Sequence, residues 1–490
     1  KLSNTLSHKN ILHSSNIFMA ERIAKLIDLD ICGIDLMTND ISKPLDETGG
    51  AVLEVNAGPG FRMHLAPTIG LPRNVASPVV DELFPGKYDT GKIPIVAVTG
   101  TNGKTTTTRL IAHMAKLSGH KVGYTTSDGV YVQNRMIMKG DCTGPVSAQF
   151  VLKDPTVNFA VLECARGGLL RAGLGFKNCD IGIVTNVAAD HLGLNGINTL
   201  GQLARVKSVI PETVMPDGYA ILNADDDQVF DMQYDLVCKV ALFSMDEKNP
   251  RIIKFQEEGG LTAIYENGYV TITRGIWKMR VMKAENIPLT FGGKAKFMIQ
   301  NILPAVLTAH LRGITIEDMK AALSTFIPSG NQTPGRMNLF KFKEFQFLLD
   351  YAHNPSGMRA LQNFTKSYQS NYKIGIIAGI GDRREEDTIE IGKISAEMFD
   401  EIIIRQDKNL RGKTEEELLN LVEKGIKSID PDKKITIIPS ETEAIEHSIT
   451  YAKSGSLIVL CSDTIEDSLT LLRTLKEKED KKETKINMES

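Results

Sequence analysis

The sequence predicts an α/β protein that is built around doubly wound parallel sheets. From residue 93 onward, short apolar runs rich in β-branched residues alternate with helical segments, as expected for parallel strands joined by right-handed crossovers. The chain has 490 residues, 42% hydrophobic and 24% charged, which is ordinary for two to four globular domains. A segment rich in proline and glycine separates residues 1–72 from the rest.

Composition argues against several classes of protein. A net charge of −3 does not favour nucleic-acid binding. The six cysteines have no paired spacing, so we expect neither a zinc site nor a disulfide framework, and we expect a cytoplasmic location. No apolar run reaches membrane-spanning length. The chain begins with lysine rather than methionine, and we expect its first domain to be truncated.

Residues 1–72 form the first predicted block. The pattern predicts a helix over 17–27 and strands over 31–37 and 51–56. Glu54 and Asn56 point to one face of their strand, where Asp35 of the partner strand can meet them. Two carboxylates and an amide oxygen are hard ligands suited to magnesium. Residues 73–92 are predicted to be a linker.

The next element is a strand, a glycine turn and a helix. Residues 95–98 are a short β-branched run, and a helical pattern begins at Thr105. The turn gathers backbone N–H groups at a helix N-terminus, which favours phosphate. Lys104 can reach that phosphate, and the Thr105 hydroxyl can ligate the magnesium of a nucleotide. The candidate phosphate-loop residues are Gly100, Thr101, Asn102, Gly103, Lys104, Thr105 and Thr106.

Two later strands of this domain end at polar residues. One predicted strand ends at Glu163, and another leads to His191. Ligands of parallel sheets bind beyond the carboxyl ends of the strands, so both residues are expected near the phosphate loop. Residues 238–292 are predicted to be a small sheet insertion near the substrate.

The last predicted domain is again doubly wound α/β. A strand over 345–349 leads to the hexapeptide Asp350-Tyr-Ala-His-Asn-Pro355, and three more apolar strands follow. Residues 476–490 are charge-rich without an apolar period and are predicted to be a disordered tail.

The sequence Gly-Thr-Asn-Gly-Lys-Thr-Thr and this hexapeptide resemble motifs of the Mur ligases, which form amide bonds with ATP, and of folylpolyglutamate synthetase. The resemblance implies a central ATP-binding domain over 93–332 and a C-terminal domain over 333–475, with ATP and Mg2+ as cofactors. It assigns Lys104, Asp350 and His353 to catalysis, and Asn301 and Arg336 to ATP. The implied metal ligands are Thr105, Glu163, His191 and Lys207, the last if carbamoylated.

Two further stretches point to a narrower family. Residues 33–37 and 54–60 resemble the final part of an ATP-grasp domain, in which Asp35, Glu54 and Asn56 would hold magnesium. The stretch Arg-Gly-Gly-Leu-Leu-Arg-Ala-Gly-Leu-Gly at 166–175 resembles the cyanophycin synthetase family, which builds poly-aspartate with arginine on each side chain.

That family resemblance implies a division of labour. The Mur-like half would add arginine to the aspartate β-carboxyl through an acyl phosphate, and the ATP-grasp half would add aspartate to the backbone. The implied partners are arginine, aspartate and the growing polymer, and the implied assembly is a homotetramer. A guanidinium pairs best with a carboxylate, and Asp407 is our candidate for that role.

Three alternatives remain open at this stage. The chain could be another Mur-type ligase or a folylpolyglutamate synthetase, against which residues 1–72 and the Arg-Gly-Gly stretch argue. It could polymerise aspartyl-arginine dipeptides with a non-catalytic Mur-like half, against which the intact loop argues. It could be a degenerate scaffold, which predicts loss of nucleotide binding.

We also predict that the final domain rotates onto the central one about Pro334 and Gly335, because glycine tolerates large backbone changes.

Overall fold

The computed structural model describes residues 12–84, 91–379, 381, 383–406, 410 and 413–489, with the backbone alone for 482–489. Two compact units divide the chain, Lys1–Lys92 and Ile93–Ser490. No helix in the described ranges combines the length and the apolar content needed to cross a membrane.

The first unit pairs a helix with a two-stranded antiparallel sheet. Its elements are α1 (Ser14–Ile27), β1 (Gly33–Met37), β2 (Ala51–Asn56), α2 (Arg62–Leu65) and α3 (Ala76–Leu83). In the β1–β2 register, Asp35 lies opposite Glu54 and Gly33 lies opposite Asn56. Helix α3 lies inside the segment that was predicted to be a linker, so that segment is not wholly irregular.

The second unit begins with a domain that we call the middle domain, residues 93–332. Its strands are β3 (Ile95–Thr99), β4 (Val122–Thr126), β5 (Gly129–Val132), β6 (Arg135–Lys139), β7 (Phe159–Glu163), β8 (Cys179–Val184), β9 (Val214–Asn223), β10 (Lys239–Ser244), β11 (Leu261–Glu266), β12 (Tyr269–Arg274) and β13 (Trp277–Lys283). Its helices are α4 (Lys104–Leu117), α5 (Pro145–Leu152), α6 (Arg166–Ala172), α7 (Leu200–Glu212), α8 (Asp227–Phe230), α9 (Pro250–Glu257), α10 (Lys296–Leu311) and α11 (Ile316–Thr325).

These strands form one sheet in the order β13-β12-β11-β10-β9-β8-β3-β7-β4-β5-β6. Strand β3 is central and parallel to both neighbours, β7 and β8. The strands of the small sheet insertion predicted over 238–292 belong to the main sheet, because β10 pairs with β9 and β11 to β13 extend the same sheet. Local patterning predicted those strands correctly, but which sheet they join depends on long-range pairing.

The rest of the unit, which we call the final domain, has a six-stranded sheet in the order β14-β15-β19-β16-β17-β18. The strands are β14 (Asn338–Lys341), β15 (Phe345–Asp350), β16 (Tyr372–Ala378), β17 (Glu401–Arg405), β18 (Lys434–Ile437) and β19 (Ser456–Cys461), and the helices are α12 (Pro355–Ser367), α13 (Glu385–Met398), α14 (Glu415–Ile429), α15 (Glu441–Thr450) and α16 (Ile465–Glu489). Only β14 is antiparallel to its neighbour within this sheet of described strands.

The predicted disordered tail is instead helical, because α16 continues to Glu489. Leu469 and Leu472 of its first turns are buried in the core of the final domain, which anchors the start of the helix. Farther along, Lys476 pairs with Glu479 and Asp480. Such pairs three and four residues apart support an exposed helix. The prediction of disorder considered only the missing apolar periodicity and not these pairs.

Candidate active site

A cavity of about 860 Å³ lies at the carboxyl ends of the central strands of the middle domain and extends to the final domain. This is where parallel α/β sheets bind ligands, and the volume is near the upper end for small-molecule sites. The cavity gathers all the predicted Mur-type residues that the structure describes: Gly100, Thr101, Asn102, Gly103, Lys104, Thr105, Thr106, Glu163, His191, Lys207, Asn301, Arg336, Asp350 and His353.

The phosphate loop depends on two glycines with positive φ. Gly100 has φ +144°, and a Cβ there would lie 1.9 Å from the Thr185 hydroxyl. Gly103 has φ +88°, and a Cβ there would lie 2.1 Å from Oδ1 of Asn301. L residues rarely adopt such backbone angles, whereas glycine does so readily. The loop therefore takes this tight path only with glycine at both positions. The short distance to Gly103 also places Asn301 beside the loop.

Lys104, the first residue of α4, folds back over the loop. Its Nζ donates a hydrogen bond to the Thr101 carbonyl at 2.9 Å. The Thr185 hydroxyl donates to the Asn102 carbonyl at 2.7 Å, and the Asn102 backbone N–H donates to Oδ1 of Asn186 at 2.9 Å. Residues that follow β8 thus hold the loop in shape.

Glu163 ends β7 and is only 3% exposed. Its Oε2 accepts hydrogen bonds from the Thr105 hydroxyl at 2.9 Å and from the Ser127 backbone N–H at 3.2 Å. Burial raises the pKa of Glu163, and the nearby Lys104 charge and the Thr105 hydrogen bond oppose that rise. A buried carboxylate beside a hydroxyl is a suitable oxygen donor set for Mg2+, which usually completes its shell with phosphates and water.

Within the described residues, protein groups alone do not enclose a metal here. No cluster of three or more His, Cys, Asp or Glu able to hold a metal ion is found in the described ranges. His191 lines the same cavity as Glu163, and its Nδ1 accepts a hydrogen bond from Arg383 at 2.7 Å. The donors fit a metal that a bound nucleotide helps to hold.

Lys207 lies on α7 and is 3% exposed. Its Nζ donates to the Gly100 carbonyl at 2.7 Å. Burial lowers the pKa of Lys207 to about 7, with the Lys104 and Arg166 charges lowering it further and Asp190 opposing them. A buried amine with this pKa is substantially neutral at physiological pH, and the neutral form is the one that reacts with carbon dioxide.

An ionic cluster joins the two domains. Asp190, which follows β8, lies 3.0 Å from Arg383 and 3.6 Å from Nε2 of His353, both in the final domain. Burial alone would raise the pKa of Asp190, but the hydrogen bond to His353 and the charges of His353, Arg383 and His191 lower it. Asp190 is therefore an anion that ties the final domain to the middle domain.

Asp350 lies at the end of β15. Its two carboxylate oxygens accept the backbone N–H groups of Met337 and Ala352, each at 2.9 Å. Burial raises the pKa of Asp350, and the Arg336 charge is the largest effect opposing it. The Arg336 guanidinium stacks over the Tyr351 ring at 4.1 Å. Asp350 thus holds the segment that carries Arg336 against the cavity wall.

The remaining predicted site residues lie elsewhere. In the first unit, Nδ2 of Asn56 donates to Glu54 at 3.1 Å and to Asp35 at 3.5 Å, so the three side chains meet as predicted. The pKa of Asp35 is raised, first by its hydrogen bond with Glu54 and then by burial and the Glu54 charge. Asp407 lies outside the described residues, and its predicted role stays a prediction.

Sequence reasoning missed the partners across the domain boundary. Asn354 exchanges side-chain hydrogen bonds with Asn102, and Arg383 pairs with Asp190. Local sequence did indicate that these residues have a structural or site role. Asn354 precedes a helical proline, as an N-cap residue should, and Asp190 follows the end of a strand. Neither signal identifies the partner, which only the packing of the two domains provides.

Comparison with known families agrees with this geometry. Residues 98–309 match the Mur ligase middle domain, and residues 335–464 match the Mur ligase, glutamate ligase domain. These two segments of the chain therefore belong to the Mur ligase middle-domain and glutamate ligase domain families.

Among curated proteins, the chain is 52% identical to cyanophycin synthetase of Geminocystis herdmanii, over 94% of this chain and 52% of that protein. It is 50% identical to cyanophycin synthetase of Synechocystis, over 95% of this chain and 53% of that protein. The chain thus spans about half the length of the curated relatives it matches. Among solved structures, E. coli FolC in complex with DHPP and ADP has a TM-score of 0.57 at 17% identity, covering 80% of this chain and 89% of that one. That likeness concerns the fold.

Proposed function

We propose that the Mur-type unit of this chain is an ATP-dependent ligase that adds arginine to the β-carboxyl of an aspartate residue in a growing cyanophycin-type polymer. The proposal rests on the cavity in which the phosphate loop of the middle domain meets Arg336 and His353 of the final domain. The substrates are inferred from the roughly half-identical relatives, which are named cyanophycin synthetases.

In this proposal the reaction has two steps. An oxygen of the β-carboxylate attacks the γ-phosphorus of ATP, ADP leaves, and an acyl phosphate results. The α-amine of arginine then attacks the acyl carbon, phosphate leaves, and an amide forms as the nitrogen loses a proton. Phosphoryl transfer depends mainly on positioning and charge neutralisation, which Lys104 and Arg336 supply. A magnesium ion beside Glu163 and Thr105 would neutralise further phosphate charge.

His353 is our proposed acceptor for the proton of the amine. Its Nδ1 lies 2.8 Å from the Tyr351 carbonyl, and a carbonyl requires a donor, so Nδ1 carries the hydrogen. In the neutral ring Nε2 therefore accepts the proton, and only the Nε2–H of the protonated ring can donate to Asp190, which lies 3.6 Å away. An anion there stabilises the protonated ring, as a general base requires.

For the first unit, we propose that Asp35, Glu54 and Asn56 hold magnesium in an aspartate-adding ATP-grasp site. Their convergence on one sheet face and the raised pKa of Asp35 fit carboxylates that a cation would stabilise. All six cysteines are free thiols, which suits the cytoplasmic location that we propose. The homotetramer is proposed on family resemblance alone.

The decisive experiment supplies the full-length protein with ATP, Mg2+, arginine and a synthetic primer that ends in an unmodified aspartate. We expect the primer to gain one arginine residue for each ATP converted to ADP, measured by mass spectrometry and a coupled ADP assay. Glutamate, diaminopimelate and preformed aspartyl-arginine dipeptide serve as competing substrates. Incorporation of one of these in place of arginine would reject the proposed function.

A further inference from the structure

The cavity extends well beyond the phosphate loop on the side of β7. In the sheet order, β9 and β8 lie on one side of β3, and β7 and β4 lie on the other. Cavity residues follow all five strands, and adjacent strands are roughly 4.8 Å apart. The cavity therefore spans on the order of 19 Å along the sheet edge, which is room for more than the phosphates of a nucleotide.

The two ends of the cavity differ in their walls. At the β9 end, the lining includes Asp225, Asp226 and helix α10, which packs over β10, β11 and β12. At the other end, we define the distal arm as residues 141–143, 165–168 and 171, which line the cavity except for Cys142. The Cys142 backbone N–H donates to the Thr126 carbonyl at 3.2 Å, so the distal arm lies across the end of β4.

Arg171 is the exposed cation of the distal arm. Its Nε donates to the Gly167 carbonyl at 3.0 Å, which anchors the guanidinium on its own helix. A Cβ added to Gly167 would lie 3.6 Å from Nη2 of Arg171, so the guanidinium lies above this glycine. In the described part of the chain, Arg171 forms no ion pair with an acidic residue, and its outer nitrogens can serve a ligand.

Asp141 is the exposed anion of the distal arm. Its Oδ1 accepts hydrogen bonds from the Thr143 backbone N–H at 3.3 Å and from the Thr143 hydroxyl at 2.6 Å. This turn orients the carboxylate at the cavity wall. No ion pair between Asp141 and a basic side chain is found among the residues that the structure describes.

We propose that the distal arm recognises the end of the polymer through both of its charges, an inference that rests on the proposed function. A terminal aspartate has two carboxylates, and only the β-carboxylate is to be phosphorylated. Arg171 binds the α-carboxylate and keeps it away from the γ-phosphate, since a guanidinium fork pairs well with a carboxylate. Asp141 binds the guanidinium of the arginine attached to the preceding residue.

The Arg171 test uses two primers that differ only at the terminal α-carboxyl, which is free in one and amidated in the other. The full-length wild-type protein should prefer the free acid. Loss of a charged hydrogen-bond pair corresponds to about a ten- to hundredfold change, so Arg171→Gln should raise the KM of the free-acid primer by that factor. The preference should disappear, while the KM for ATP stays unchanged. Arg135→Gln, an exposed arginine on β6 outside the cavity, is the control.

The Asp141 test compares primers whose penultimate aspartate does or does not bear arginine. Asp141→Asn should remove the wild-type preference for the arginine-bearing primer. Asp154→Asn is a matched control, because Asp154 makes the same turn with Thr156 outside the cavity. The inference would be overturned if Arg171→Gln and Asp141→Asn each kept the primer preference of the wild-type protein. That outcome would leave the proposed function intact. Failure of the wild-type protein to add arginine to any primer would instead reject the proposed function.

Discussion

Asn102 of the phosphate loop and Asn354 of the final domain exchange two side-chain hydrogen bonds across the domain boundary. Nδ2 of Asn102 lies 3.3 Å from Oδ1 of Asn354, and Nδ2 of Asn354 lies 3.0 Å from Oδ1 of Asn102. Asn354 is also the N-cap of α12, since its Oδ1 accepts the Gly357 N–H at 2.8 Å. The group that caps a helix in one domain thus directly contacts the phosphate loop of the other.

This pair predicts that Asn354 helps to hold the two domains closed. Serine is also a good N-cap but is too short to reach Asn102, so Asn354→Ser should keep the melting temperature. Two hydrogen bonds contribute ~1 kcal/mol each, and we expect the rate of amide formation to fall at least about tenfold. Water should then reach the acyl phosphate, and ATP hydrolysis without product should increase. Unchanged coupling of ATP use to product in this variant would contradict the prediction.

Lys104→Ala should abolish ATP turnover with arginine and a poly-aspartate acceptor. Lys104 is the partly exposed first residue of α4, and its single described hydrogen bond is to Thr101, so the fold should persist. Such exposed charges contribute ~0–1 kcal/mol to stability. Lys116→Ala, at the far end of the same helix, is the control and should retain activity. Persistent ADP release by Lys104→Ala would remove this lysine from the mechanism.

Glu163→Gln should uncouple nucleotide binding from magnesium. The amide can still accept the Thr105 and Ser127 hydrogen bonds, but it is a weaker Mg2+ ligand than a carboxylate. We expect wild-type affinity for ADP, measured by calorimetry, to rise when Mg2+ is added, and we expect no rise in the variant. Burial disfavours the charged form of Glu163, and both hydrogen bonds can persist, so the free energy of unfolding should not fall. An equal effect of Mg2+ on both proteins would exclude Glu163 as a ligand.

Lys207 is expected to form a carbamate. The buried amine with a pKa of about 7 has a neutral fraction that rises as the pH rises through that value. With 13C-labelled bicarbonate, the wild-type protein should therefore show a carbamate signal in its NMR spectrum that is stronger at pH 8 than at pH 6. Lys207→Gln should lack the signal. If both proteins give the same spectrum, Lys207 acts as an amine.

Gly335→Ala should destabilise the segment that joins the two domains. Gly335 has φ +66°, and an added Cβ would lie 2.4 Å from Cδ1 of Ile465 on α16. A left-handed backbone costs a non-glycine residue roughly 1–2 kcal/mol, and the contact with Ile465 adds to that. Gly201→Ala is the control, because Gly201 lies in α7 with its nearest neighbour 3.8 Å away. Denaturant unfolding that fails to separate the two variants would contradict this expectation.

Gly335 also bears on the predicted domain rotation. The rotation about Pro334 and Gly335 stays a prediction, to be tested by measuring the distance between spin labels on the two domains with and without nucleotide. Met337, two residues later, also has a positive φ of 55°, and Asp350 holds its N–H. Asp350→Asn should therefore alter the same distance distribution, whereas a distribution unaffected by either nucleotide or variant would reject a hinge here.

Local patterns were sufficient to predict the strand, glycine loop and helix around Lys104. A buried β-branched run, two glycines with positive φ and a helix that follows are properties of adjacent residues. The same holds for β15 and the residues that follow it, up to Asn354. What local patterns did not predict is non-local, such as the sheet that β10 to β13 join and the packing of α16 through Leu469 and Leu472.

The sequence by itself determined the chemistry that each domain can contribute: a phosphate loop with Lys104 and Thr105 in one, and Arg336 and His353 in the other. Only the tertiary structure decided which groups meet. Asp190 and Arg383, or Asn102 and Asn354, are paired by the crossovers of two sheets and by domain packing, and no local spacing specifies such contacts. Burial, which shifts the pKa of Lys207 and Glu163, likewise exists only once the chain has folded.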